Sequence, residues 1–320
     1  MIKQDTNQPH SKPTVVSRFK RAGIGLLAAA LVGTALMMTA SPAQAATTSF
    51  WIGYGNIGPF QGKNDGPTAN DTKKIDETFK LIQEMGVSLF VASELHEDGE
   101  LHGHSSQLEY FKKNMAAKMG SQWAVAYDEN TSTNKDRSGG NHLIYDKNKY
   151  KQLSATTTSL GSGDLSRMAT KWNMERIDTG VKFWVVGYHA PAQGDHTTSQ
   201  IQTAQKAQMT QLVDSFTNTL HRVVFTMDTN DFNNNVSIPI LLQKKPAKNI
   251  YSEVKNMPGS GLDSFHGDTS SAVRHIDLIA TGDLVDFNNG AQINTRNRPS
   301  SLPQAQQFDH DFLKAQVTIR

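Results

Sequence analysis

A repeated local pattern constrains this chain most. Short apolar, β-rich runs end in an acidic, amide or imidazole side chain, and they alternate with polar stretches of helical period. Thr48 to Ile57 reads as a strand, followed by a Gly/Pro/Asn/Asp loop from Gly58 to Asn70. Asp71 caps an expected helix over 72–85, where Ile75, Phe79, Ile82 and Met85 recur at helical spacing. Val87–Ala92 is a short buried strand. A second helix fits Ser105–Met119, with Leu108, Phe111, Met115 and Met119 on one face and Gly120 as its stop. Trp123–Tyr127, His142–Tyr145, Met168–Ile177 and Val181–His189 read as strands, the last two joined by the hairpin turn Asp178-Thr179-Gly180. Thr197–Thr219 is the longest helical stretch. It leads into strand Val223–Met227, a loop-rich zone from Phe232 to Asp268, strand Ile276–Ala280 and a closing strand Phe312–Ile319. No internal repeat or heptad interrupts this order. It predicts one mixed α/β (α+β) domain in which helices cover stacked sheets.

The first 45 residues read as a segment apart. Lys12, Arg18, Lys20 and Arg21 lead into an apolar run from Ile24 to Met38. Ser41-Pro42-Ala43-Gln44-Ala45 then places small residues before a cut after Ala45. That is the three-part pattern of a secretory signal peptide, and the run falls short of the ~20 apolar residues that span a bilayer. The expectation is export, to the periplasm or beyond, with residues 46–320 as the working domain and no stable membrane association after cleavage. The leader also holds five of the chain's 32 Lys and Arg and one of its 30 acids, so the remainder carries a formal charge near −2. An enzyme on a polyanion would then need local rather than global attraction. With no cysteine anywhere, thiolate catalysis and Cys-ligated metals are excluded.

Candidate site residues stand at or near predicted strand ends: Asn56, Glu94, His189, Asp228 with Asn230, Asp277, and Asp309 with His310. An aspartate after a strand is ordinarily a turn residue or helix cap. The ordered set is what carries information, because the ends of rigid strands hold a preorganised site.

In that order the residues resemble the motif series of the endonuclease/exonuclease/phosphatase family, from about Phe50 to Phe312. Tyr54-Gly55-Asn56-Ile57 is similar to the opening N-I strand, and Ala92-Ser93-Glu94 to the Q-E metal-ligand strand. Val186-Gly187-Tyr188-His189 is similar to N-x-H, and Phe225-Thr226-Met227-Asp228-Thr229-Asn230 to G-D-F-N. Arg274-His275-Ile276-Asp277 and Phe308-Asp309-His310 are similar to R-I-D and S-D-H. With Arg167 in Ser166-Arg167-Met168-Ala169, the pattern looks most like deoxyribonuclease I and the catalytic subunit of cytolethal distending toxins. Met227, Thr229 and Phe308 depart from it. The glutamate that deoxyribonuclease I pairs with its first catalytic histidine has no match near Ser138–His142.

The resemblance implies a four-layer α/β/β/α sandwich, two packed mixed sheets flanked by helices, and a secreted phosphodiesterase dependent on Mg²⁺, with Mn²⁺ or Ca²⁺ as alternatives. Glu94 and Asp309 supply hard oxygen ligands for such a cation. Asp228 orients or deprotonates the attacking water, and Asn56 and Asn230 hold phosphate oxygens or that water without adding charge. His310, kept protonated by Asp277, faces the phosphate; His189 contacts a nonbridging oxygen or serves the leaving group as acid. Arg167 is the candidate phosphate clamp, because a guanidinium fork matches two phosphate oxygens. Arg137, Lys244, Lys245 and Lys248 could add a basic rim, and the cluster from Glu94 to His104, with His96, His102 and His104, reads as a solvated loop. The expected substrate is nucleic acid, DNA first and RNA second. The alternative on the same scaffold is a sphingomyelinase-like phospholipid phosphodiesterase or a phosphoinositide phosphatase. The loops at 128–140 and 233–268 lack the apolar cluster that a lipid surface would demand. A third reading, a non-catalytic binding or toxin-assembly module, conflicts with the intact polar set. The toxin branch admits partner subunits, for which no residue of the chain speaks.

Overall fold

Two βαβ units set the frame. In the computed structural model, which describes residues 47–58, 69–95, 106–127, 140–192, 196–216, 222–231, 236–244, 248–249, 276–304 and 307–320, β1 (Thr48–Asn56) runs through α1 (Ala69–Met85) to a parallel neighbour, β2 (Leu89–Ser93). β7 (Lys182–His189) runs through α3 (Thr198–Asp214) to β8 (Val223–Asp228), also parallel. The other pairings are antiparallel. One six-stranded sheet adds β3 (Trp123–Val125), β4 (His142–Asp146), β11 (Val285–Ile293) and β12 (Phe312–Ile319), in the order β11-β12-β1-β2-β4-β3. The other adds β5 (Tyr150–Leu160), β6 (Arg167–Arg176), β9 (Lys248–Asn249) and β10 (Asp277–Thr281), in the order β5-β6-β7-β8-β10-β9. The expected leader, residues 1–45, lies outside the described residues.

Strand alternation explains the layering. Successive side chains of a strand face opposite ways, so each sheet offers two apolar faces. Phe50, Ile52, Tyr54, Val91, Trp172, Phe183, Val185, Leu313 and Val317 share the core between the sheets. The other face of the first sheet, with Phe90, Ile144 and Phe312, packs against Phe79, Ile82 and Met85 of α1 and Leu108, Phe111 and Met115 of α2 (Gln107–Met119). The other face of the second, with Val186, Tyr188, Phe225 and Met227, takes Met209, Leu212 and Val213 of α3 and Ile240 and Leu241 of α4 (Ser237–Lys244). The result is the expected α/β/β/α sandwich.

Several boundaries differ from expectation. α1 begins at Ala69, so Asp71 lies buried within its first turn and is not its cap. α2 is capped by Ser106, whose hydroxyl accepts from Glu109 N at 3.1 Å. α3 is shorter than expected and opens on a capping box, Thr197 with Gln200. Asp178–Gly180 does form the β6–β7 turn, with Gly180 at φ 68° and Gly180 N donating to Arg176 O at 2.7 Å. Strands β5 and β11, and helix α4 and strand β9 inside the loop-rich zone, are additions.

Candidate active site

Registry assembles the site. β1 and β2 end level, Asn56 opposite Ser93, so Asn56 and Glu94 leave the first sheet side by side. In the second sheet His189 pairs with Asp228, and Asp228 pairs with Asp277 at the start of the antiparallel β10. β12 enters antiparallel beside β1, with Leu313 against Tyr54, which brings the preceding Asp309-His310-Asp311 to the same end. Two parallel pairs in separate sheets thus deliver their C-terminal ends to one place.

Hydrogen bonds then join the sheets. The Asn56 amide nitrogen donates to Glu94 Oε1 at 3.1 Å and to Asp228 Oδ2 at 3.1 Å, and lies 3.4 Å from His310 Nε2. Its carbonyl oxygen accepts from Gly58 N at 3.0 Å. His189 Nε2 stands 3.6 Å from Asp228 Oδ2 and 3.8 Å from Glu94 Oε1. His310 Nδ1 binds Asp277 Oδ2 at 2.7 Å, and its Nε2 lies 3.9 Å from Asp228 Oδ2. Burial alone would suppress the His310 imidazolium. The Asp277 carboxylate overrides that, Asp309 and Asp228 reinforce it, and the ring is held protonated well above its ordinary range.

Local backbone aims the carboxylates. Glu94 has φ 60° and Asn230 φ 46°, both in the left-handed region that costs a side-chain-bearing residue about 1–2 kcal/mol. At Glu94 the turn is held by Leu95 N donating to Gly140 O at 3.1 Å, and a Cβ at Gly58 would fall on the Glu94 carboxylate. Asn230 N donates to Asp228 Oδ1 at 2.9 Å, fixing that carboxylate, while its side-chain amide donates to Ala190 O at 3.0 Å. The substituted Thr229 has a structural role: its backbone N–H and its hydroxyl both bind Ile276 O, at 2.7 and 2.8 Å. Met227 and Phe308 fill apolar layers.

Among the described residues, two groups are candidates to hold a cation. Asp228, Asp277 and His310 offer atoms that all lie within 4.8 Å of one another. There, however, the imidazole is committed to Asp277 and carries a proton, and an imidazolium has no lone pair to donate. Glu94 and Asp309 form the better oxygen set. Asp309 Oδ1 is buried with no hydrogen-bond partner among the described residues, and burial raises that carboxyl's pKa while His310 and Lys74 oppose the rise. An orphaned buried carboxylate oxygen, close enough to Glu94 for the two charges to act on each other, fits a hard divalent ion.

Arg167 opens β6 at the same end, two residues before Ala169, which pairs with Tyr188, the neighbour of His189. Its Nη1 donates to Ser166 O at 3.0 Å. All nine expected site residues therefore occupy this end of the sandwich. His189 Nδ1 is buried and without a hydrogen-bond partner among the described residues, in keeping with the unmatched glutamate. Of the expected rim, Lys244 ends α4 and Lys248 opens β9, whereas Arg137, Lys245, Arg274-His275 and the His96–His104 cluster lie outside the described residues.

Sequence reasoning missed three supports. Gln205 of α3 donates to Pro191 O, Thr229 O and Asn230 O at 3.1–3.2 Å, tying the ends of β7 and β8 together. Tyr54, Ser93 and Asn141 form a buried chain behind the site, with Tyr54 Oη 2.9 Å from Ser93 Oγ, which donates to Asn141 Oδ1 at 2.6 Å. Lys74, only 2% exposed, donates to Gly58 O at 2.9 Å. Burial lowers its pKa to about 8, against the opposing charges of Asp309, Glu94 and Asp71.

No family profile matches the sequence. A search of curated proteins likewise finds no relative. Solved structures do match. An endonuclease/exonuclease/phosphatase family protein from Bacteroides thetaiotaomicron superposes with TM-score 0.62 at 15% identity, over 86% of this chain and 99% of its own. The fold is that of the endonuclease/exonuclease/phosphatase proteins. Two further structures with this fold are the human Nocturnin catalytic domain with bound sulfate (TM-score 0.60, 13% identity, 85% of this chain and 95% of that one) and D. rerio TDP2 complexed with single-strand DNA product (0.60, 11%, 84% and 99%). The mannosyl-6-phosphatase Bt3783 of B. thetaiotaomicron also shares it, with TM-score 0.60 at 13% identity over 84% of this chain and 99% of that one.

Proposed function

We propose that this protein is a metal-dependent phosphodiesterase acting on nucleic acid, as a deoxyribonuclease-I-like endonuclease. The observation that carries the reading is the joined pair of strand-end sets: Asn56 and Glu94 from one sheet meet His189, Asp228 and the Asp277–His310 pair from the other. A phosphodiester repels nucleophiles, so its hydrolysis needs charge neutralised, a water oriented and a leaving oxygen protonated. Glu94 and Asp309 would hold Mg²⁺, Mn²⁺ or Ca²⁺, which when bound supplies Lewis-acid stabilisation of phosphoryl charge. Asp228, whose Oδ1 accepts from Asn230 N, would orient or deprotonate the attacking water. The protonated His310 donates Nε2–H towards a phosphate oxygen, and His189 serves a second oxygen or the leaving group. Arg167, at the start of β6, would clamp the phosphate.

Support for nucleic acid comes from TDP2, solved with a single-strand DNA product, and from the arginine at the site edge. In the proposal the enzyme works after export, its leader removed, with no membrane or partner subunit required. The test is nicking of supercoiled plasmid by residues 46–320 with Mg²⁺, alongside His189→Ala and an EDTA control. Nicking that requires both metal and His189 is the expected result. Its absence across Mg²⁺, Mn²⁺ and Ca²⁺ would refute DNA as substrate and direct the assay to RNA, sphingomyelin and phosphoinositides.

A further inference from the structure

Resting on that reading, we infer that the Lys74 ammonium is a built-in cation of the metal pocket, which limits the pocket to one divalent ion and holds Glu94 and Asp309 ready for it. Lys74 is an unusual residue to find where it is. It belongs to α1, on the helix face that carries Thr78, Ile82 and Met85 inward, and it is 2% exposed, whereas its neighbour Lys73 is exposed. A buried ammonium needs partners that repay its lost hydration. The structure supplies a backbone carbonyl, Gly58 O at 2.9 Å, and the ring of Phe308, with the nitrogen 5.4 Å from the centroid. It also places the charge where Asp309 and Glu94 feel it, Asp309 more strongly.

Both contacts belong to segments that build the pocket. Gly58 is the residue whose missing side chain leaves room for the Glu94 carboxylate, and Phe308 immediately precedes Asp309. One ammonium thus ties the segment after β1 to the segment before β12, between which the two carboxylates emerge. The candidate site brings together the carboxylates of Glu94, Asp228, Asp277 and Asp309, and Asp71 adds a further buried carboxylate that acts on Lys74. The imidazolium of His310 offsets Asp277, and Asp228 is engaged by Asn56 and Asn230. Glu94, which also accepts from the Asn56 amide, and Asp309 are the candidate ligand pair, and Lys74 supplies one positive charge beside their two negative charges. A fixed cation beside this pair favours one divalent ion over two, because a second ion would meet its repulsion at close range. Without the ammonium the same pair would attract an ion more tightly or accept a second. Lys74 is a positioning residue in this account, for it acts on the metal ligands and not on the substrate.

The test is isothermal titration of Mn²⁺ into the EDTA-stripped, dialysed protein, with electron paramagnetic resonance of the loaded sample and thermal melting in EDTA. Wild type should take one Mn²⁺ per chain and give a spectrum without Mn–Mn coupling. Lys74→Met should bind its first Mn²⁺ on the order of 10- to 100-fold more tightly, or bind a second that couples to it. Lys74→Arg should restore the wild-type stoichiometry. A Lys74→Met protein that melts lower yet binds Mn²⁺ as wild type does would reduce the residue to a structural tie and overturn the inference. If Lys74→Met does not fold, the wild type still decides: two coupled Mn²⁺ ions overturn the built-in cation and leave the phosphodiesterase reading standing. No Mn²⁺ binding at all would overturn both.

Discussion

Replacing Asp277 with asparagine tests the reasoning about the buried ion pair most sharply. The exchange keeps the side-chain volume and removes one charge from a pair 2.7 Å apart, both of whose side chains are 6% exposed or less. At an effective dielectric near 20, two unit charges at 2.7 Å attract by about 6 kcal/mol. Desolvation cancels part of this, and removal of one partner from a buried pair costs about 3–5 kcal/mol in practice. The loss should depend on pH. In the folded protein the His310 pKa lies above its unfolded value of about 6.5. The stabilisation from its proton is therefore fully present below about pH 6.5 and is lost as pH rises through the raised folded value. Asp277→Asn should accordingly destabilise by about 3–5 kcal/mol at pH 6 and by less at pH 9. Urea unfolding of residues 46–320 in EDTA, at pH 6, 7.5 and 9, measures it. A deficit of the same size at all three would show that His310 is not held protonated by Asp277, and would remove the basis for its role opposite phosphate.

Other substitutions read out other parts of the site. His189→Ala should lower the rate of phosphodiester cleavage about 10²- to 10⁴-fold with little change in melting temperature; a loss below threefold would exclude it from proton transfer. Gly58→Ala should weaken Mn²⁺ binding about 10- to 100-fold by displacing the Glu94 carboxylate, and unchanged affinity in titration calorimetry would move the cation away from Glu94. Asn230→Ala should unfold more readily than Asn230→Gly by about 1 kcal/mol, because only glycine relieves the left-handed φ of 46° once the amide bond to Ala190 O is gone. Equal stabilities in urea would mean that the backbone there is not strained.

The strand ends that carry the candidate site were more legible in the sequence than several of the elements that frame them, and the reason is physical. Asn56, Glu94, His189 and Asp228 each follow an apolar run buried on both faces, so strand and polar terminus stand out together. By contrast β5, Tyr150–Leu160, exposes most of its Lys, Gln, Ser and Thr side chains at a sheet edge and shows no continuous apolar signal. β11 is interrupted by Asn288, Asn289 and Gly290, where its register to β12 shifts at a bulge. Asp71 read as a cap because aspartate favours that position, but the helix begins two residues earlier. Lys74 was invisible for another reason. Lys73 and Lys74 are the same residue type, and only the phase of the helix separates the exposed one from the buried one. That phase was available, since Lys74 precedes Thr78 and Ile82 at helical spacing, yet a lysine on an inward face is ordinarily read as a break in the pattern.

The central claim is that this end of the sandwich hydrolyses phosphodiesters by metal-assisted chemistry, whatever polymer or lipid carries the bond. Hydrolysis of bis(p-nitrophenyl) phosphate, compared with p-nitrophenyl phosphate, tests it without assuming a substrate. Residues 46–320 should release nitrophenol from the diester in Mg²⁺ or Mn²⁺, lose that activity in EDTA, and lose it about 10²-fold or more in His310→Ala. Cleavage that persists in EDTA, or is indifferent to His310, would contradict the account.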